Sequence, residues 1–133
     1  MILLIAIVAL LAGMEGILDE FQFHQPLIGP DYDSNEHHVG VIASDHKGPY
    51  DWDLTNRLIA CAKAVCDEDK WNTQVCFHYS TDANAAYVLG NNIASGAFGM
   101  ACLNTHGRER CHMDAIVQTE RLCRAYVMGV GAE

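Results

Sequence analysis

The sequence predicts an α/β fold: a hydrophobic N-terminal helix followed by a small three-layer sheet with crossover helices. Three observations carry this. Short apolar runs at 39–44, 73–79 and 93–103 read as strands; segments with helical spacing follow each of them; turn-forming residues separate the two kinds of segment. At 133 residues, 50% hydrophobic and 19% charged, the chain has enough material for one buried core and too little polar bias for disorder. Its predicted organisation is a hydrophobic helix over 1–29, an acidic linker over 30–38 and an α/β unit over 39–133.

The N-terminal segment MILLIAIVALLAGM carries no charge until Glu15, and GIL resumes before Asp19 and Glu20. That is short for a membrane span, which needs about twenty apolar residues, and it has neither the basic leader of a secretory signal nor flanking Lys or Arg. A marginal membrane helix, a hydrophobic anchor and a core helix all remain open. The acidic, turn-rich PDYDSNEHH then leads into VGVIAS (39–44), short, apolar and partly β-branched, a buried strand.

DHKGPYD supplies a turn. In WDLTNRLIACAKAVC, residues Leu54, Leu58, Ile59, Ala62, Val65 and Cys66 fall on one helical face, with Asp51 or Asp53 as N-cap. TQVCFHY (73–79) sets Val75, Phe77 and Tyr79 against Gln74, Cys76 and His78 and reads as a half-buried strand. STDANAAYVLG predicts a helix from a Ser80, Thr81 or Asp82 cap to a stop at Gly90. The glycine-bearing IASGAFGMACL (93–103) suits a strand covered by helices. MDAIVQTERLCRAYVMG has the spacing and terminal glycine of an amphipathic helix. Strand followed by helix, three times, gives a layered sheet with crossovers.

The net charge is −9, and no Lys or Arg precedes Lys47, so a phosphate-binding footprint is missing and nucleic acid is not an expected partner. Cys61, Cys66, Cys76, Cys102, Cys111 and Cys123 lie in apolar periodic segments, which favours reduced buried thiols over a disulfide framework. In open α/β sheets functional groups gather beyond the carboxyl ends of strands. THGRERCH follows such an end, which singles out His106. Imidazole is the usual neutral metal ligand near pH 7, and Glu109 and Asp114 are close enough in sequence to orient it. A zinc site from Cys102, His106, Cys111 and His112 is disfavoured because neighbouring side chains at 111 and 112 diverge. His37 and His38, with Asp31 and Asp33, could hold a metal only loosely. The plain alternative is that His106 and His112 are hydrogen-bonded loop and helix-start residues.

Two resemblances extend this. The words AGMEGILDEFQFHQPLI (12–28) resemble the first membrane segment of the IIC subunit of mannose/sorbose-type sugar phosphotransferase permeases. That would imply membrane association through residues 1–28, with Glu15, Asp19, Glu20 and His24 as a polar, interfacial face. From Val39 onward the chain is similar to the C-terminal part of the dinuclear-metal aminopeptidases of the glutamyl and tetrahedral type. The words that carry this are GPYD (48–51), TDANAA (81–86) and THGRERCHMDAI (105–116), in the family's order. The resemblance implies a partial metallopeptidase catalytic domain that hydrolyses N-terminal peptide bonds with zinc or cobalt. In it His106 takes the position of a metal ligand, and Asp82, Glu109, Arg110 and His112 have supporting roles.

The family's other ligands, its general base and its dimerisation insert have no counterpart in this sequence, and a two-metal mechanism needs both a clamp and a base. The first expectation is therefore a truncated metallo-aminopeptidase-like protein, inactive alone, that takes peptides, resides in the cytoplasm and forms oligomers if its sheet edges need cover. The alternatives are a membrane-associated fragment of a phosphotransferase permease and a non-catalytic α/β module.

Overall fold

A computed structural model describes residues 2–7, 35–78, 80–90, 92–103 and 108–130; the side chains of residues 2–7 and of Tyr87 are outside it. Among the described residues the sheet has five strands, and its centre is β2 (Val39–Asp45). On one side β2 pairs in parallel with β4 (Trp71–Cys76), Val39 opposite Trp71. On the other it pairs antiparallel with β5 (Ile93–Met100), Val39 opposite Met100. β1 (Ile2–Ile7) lies parallel to β5, and β3 (Gly48–Pro49) folds back on the end of β2 as a hairpin. The sheet is mixed, and its two halves run in opposite directions.

β1 corrects the expected N-terminal helix over its first residues. An uncharged apolar run has no polar face to reveal its period, so a buried strand and a buried helix look alike in sequence. Here the backbone edge of β5 takes up Ile2–Ile7 along its whole length. The rest of the expected helix to residue 29, the permease-like words at 12–28 and linker residues 30–34 lie outside the described residues. Among the described residues no helix is long and apolar enough to cross a membrane.

The three helices among the described residues fall on both faces, as expected. α1 (Trp52–Val65) starts where Asp51 accepts a hydrogen bond from the Leu54 N–H at 2.8 Å, one of the two caps the sequence offered. α2 (Asp82–Val88) starts from Thr81, whose hydroxyl accepts from Asn84 N–H. α3 (Met113–Val127) starts from His112 and ends before Gly129, whose φ of 75° suits the left-handed closing turn. α1 and α3 pack with Val39, Val41 and Phe98, using Leu54, Leu58, Cys61, Leu122 and Tyr126. α2 covers the other face, where Ala83 meets Ile42, Cys76 and Ala97. Alternation of side chains along β2 produces this division.

β4 reverses the expected pattern. Gln74 and Cys76 are buried, whereas Val75 and Phe77 are exposed. Gln74 fits because Gly40 on the neighbouring strand leaves room, its Cβ position lying 3.1 Å from Gln74 Cγ. The strand expected over 93–103 is also broken: Met100 ends β5, and Cys102–Leu103 forms β6, paired antiparallel with β7 (Arg110–Cys111).

Close approach of α1 to the sheet depends on Gly96. A Cβ there would lie 2.9 Å from both Cγ and Cδ2 of Leu54 and 3.3 Å from Leu58 Cδ1. Gly96→Ala forces α1 outward, and we expect it to destabilise the fold by about 1–3 kcal/mol. Urea unfolding checks this; an unchanged midpoint would show that α1 yields without cost.

Candidate functional site

Opposite strand directions separate the chemistry into two ends. Val39 is level with Met100, and Ile42 with Ala97. The carboxyl end of β5, the 102–111 hairpin and the start of α3 therefore share one end of the sheet with the start of β2. The end of β2, the β3 hairpin and the start of α2 share the other. A seven-residue strand keeps them roughly 20 Å apart.

At the β3 end, Asp45 is buried and accepts four hydrogen bonds. Oδ1 accepts from Lys47 N–H at 2.8 Å and Asn84 Nδ2 at 2.7 Å; Oδ2 accepts from the Tyr50 hydroxyl and Thr81 N–H, both at 2.9 Å. Asn84 also donates to Gly48 O, and the Tyr50 and Thr81 hydroxyls lie 2.6 Å apart. Burial pushes the Tyr50 hydroxyl well above the ordinary tyrosine range, so it remains a donor. GPYD and TDANAA thus meet around one carboxylate. Its neighbours are neutral donors that fix a hairpin and a helix start, which is a structural assignment. Asp82, expected in a supporting role, is exposed at the head of α2 and is not one of these four donors to Asp45.

At the other end, His37, His112 and Asp114 each place a ligating atom within 4.8 Å of the others. His37 Nδ1 lies 3.1 Å from Asp114 Oδ2, and the two imidazole rings are 4.1 Å apart at 56°. Lys70 Nζ, entering from the turn before β4, donates to the same Oδ2 at 3.0 Å. Lys70 first and His37 second hold the Asp114 carboxyl below the usual range, while Asp114 raises Lys70. His112 caps α3, its Nδ1 accepting from Asp114 N–H at 3.1 Å.

Two imidazoles and a carboxylate are donors that zinc or cobalt accepts. As arranged, they are engaged. A cation arriving at Asp114 Oδ2 would compete with Lys70, and binding at His112 Nδ1 would cost the helix cap. The donor types fit a metal; the geometry fits an ion-pair clasp joining the starts of β2, β4 and α3.

Of the residues expected in the site, Glu109 is half-buried beside the hairpin, Arg110 is exposed in β7 and His112 heads α3. They share one end of the sheet, to which Asp82 does not belong. His106 lies outside the described residues. Sequence reading offered Asp114 as a partner for His106; the structure pairs Asp114 with His37. That reading gave His37 only a loose metal role and missed Lys70, because no local pattern announces a contact across 44 positions of sequence.

The fold defines a layered α/β unit with imidazole and carboxylate groups where a strand hands over to a helix. A family model for the M42 glutamyl aminopeptidases matches residues 26–122, and the chain belongs to that family. It is also 28% identical over 100 residues to the protein named "Putative aminopeptidase YhfE" from Bacillus subtilis (strain 168); the match covers 75% of this chain and 28% of that protein. The chain therefore spans well under two thirds of this relative. The family match begins at residue 26, after most of the permease-like words, and nothing in the comparisons supports the permease resemblance.

Removing the buried carboxylate should be costly. Asp45→Ala leaves the donors of Tyr50, Asn84, Lys47 and Thr81 unmatched, and we expect a loss of about 3 kcal/mol or more, against about 1 kcal/mol for Tyr50→Phe. Chemical denaturation of both variants checks the order; equal losses would show that Asp45 does not organise the group.

The lowered Asp114 carboxyl adds stability above its unfolded pKa, and this is lost as pH falls through the folded value. The raised Lys70 acts in reverse, its contribution disappearing as pH rises through its folded value. Asp114→Asn should therefore flatten the acid limb of a melting-temperature profile relative to the parent. Parallel acid limbs would remove the clasp from the account.

Proposed function

We propose that this chain forms the C-terminal layer of a metal-dependent aminopeptidase domain whose chemistry is hydrolysis of N-terminal peptide bonds. The family match across residues 26–122 carries this reading. It is supported by the convergence of His112, His37 and Asp114 where the 102–111 hairpin hands over to α3.

In this reading a zinc or cobalt ion is the cofactor, and a peptide with a free amino terminus is the substrate. His106 is the metal ligand by resemblance, lying in the connection between β6 and β7; Glu109, Arg110 and His112 support it. The expected site of action is the cytoplasm. When bound, the metal would polarise the scissile carbonyl and activate a water. A general base and the ligands for a second ion are also needed, and the His37, His112 and Asp114 group already has its carboxylate paired to Lys70. Supply of those groups by another chain is part of the proposal, and the chain alone is expected to be inactive. Lys70's hold on Asp114 favours a second reading, a metal-free structural module.

Metal content of the purified chain, loaded with zinc or cobalt and desalted, distinguishes them. We expect near-stoichiometric metal in the parent, its loss in His106→Ala, and about 10–100-fold weaker binding in His112→Ala, the size of effect typical of a supporting partner. Retention in His106→Ala with loss in His112→Ala would transfer the ligand role to His112. Metal-free protein throughout would select the structural module.

A further inference from the structure

We propose that Cys102 and Cys111 form a reversible disulfide that ties the base of the 102–111 hairpin, making it a site of thiol oxidation by small disulfide compounds. The two residues are direct partners in the antiparallel β6–β7 ladder. Directly opposed residues in such a ladder have Cα atoms about 4.5–5.5 Å apart, inside the range of about 4.4–6.8 Å that a disulfide spans. The side chains of directly opposed residues leave the ladder on the same face. Here Cys102 and Cys111 sit directly across the ladder from one another, so the register itself sets their side chains side by side. Both cysteines are free in this structure.

The other thiols provide a contrast. Cys61 donates to Val130 O at 3.0 Å and Cys66 to Gln118 O at 3.7 Å, so each is engaged with backbone. Cys76 is buried beneath α2. Cys123 packs against the core from α3. The hairpin pair combines one buried member, Cys102, with one exposed member, Cys111.

That asymmetry orders the exchange. The exposed Cys111, as thiolate, attacks one sulfur of oxidised glutathione; the Cys111–glutathione S–S bond forms, the reagent's own S–S bond breaks and one glutathione thiolate leaves. Cys102 then gives its proton to water and attacks Cys111 Sγ. The mixed disulfide breaks, the Cys102–Cys111 bond forms and the second glutathione departs. Two protein thiols lose two electrons, and one reagent disulfide becomes two thiols. A thiol reductant reverses both steps.

The test treats the full chain with oxidised glutathione in the presence of a metal chelator, then alkylates the remaining thiols and maps tryptic peptides. Cleavage after Arg108 and Arg110 separates the two cysteines, so a link between them joins two peptides, and fragmentation distinguishes Cys102 from Cys76. We expect Cys102 joined to Cys111, with the other four cysteines alkylated. Cys111→Ser should remove the link and leave Cys102 alkylated, while Cys102→Ser should stop at glutathione on Cys111. The linked form should also show about tenfold slower amide exchange at 102–103 and 110–111. A link through any other pair, or an unresolved mixed disulfide on Cys111 in the parent chain, would overturn the proposal. The peptide map of the parent decides the matter even if the Cys102 variant does not fold.

Discussion

Antiparallel pairing of β5 against β2 is the constraint on which the rest depends, because it places the carboxyl end of β5 level with the amino end of β2. Had β5 run parallel, the 102–111 hairpin would emerge beside Asp45 and the words GPYD, TDANAA and THGRERCH would share one surface. Instead, two of them meet around Asp45, and residues 108–112 of the third lie a strand's length away. The register is held by packing: Val39 and Val41 point toward α1 and α3, while Ile42 points toward α2. A one-residue slip would exchange these faces. Gly96 then lets Leu54 and Leu58 approach the sheet closely.

Two polar assemblies fasten the ends of this core in different ways. Around Asp45, neutral donors surround a buried carboxylate and engage both of its oxygens. Around Asp114, the groups are more exposed, charged and contributed by three separate starts of secondary structure. Solvent screens such a clasp, so its value lies more in orientation than in stability. The contrast matters for function: a reactive centre needs groups that can exchange partners, and the second assembly joins two imidazoles to a partly exposed carboxylate.

Much of the layer order was legible in the sequence because its helices are amphipathic and its caps are local. Asp51, Thr81 and the glycine after α3 mark their helices through contacts a few residues long. What was hidden was non-local. The edge position of β4 exposes Val75 and buries Gln74 against Gly40, an inversion that alternation alone cannot foresee. Ile2–Ile7 has no periodic polar face, so only a strand partner could decide its conformation. The site was legible in the same measure: His112 as a helix-start histidine could be anticipated, whereas Lys70 and the opposite placement of Asp82 follow from topology.

The chain belongs to the M42 glutamyl aminopeptidase family, and the proposed function assigns its metal chemistry to the junction between β5 and α3. The most direct measurement is a zinc titration followed through the imidazole nitrogen resonances of each histidine. The account predicts that His106 shifts on binding one equivalent, with His112 and His37 responding as neighbours, while His46 and His78 at the Asp45 end remain unchanged. Shifts confined to His46 or His78, or an absence of shifts at saturating zinc, would contradict it.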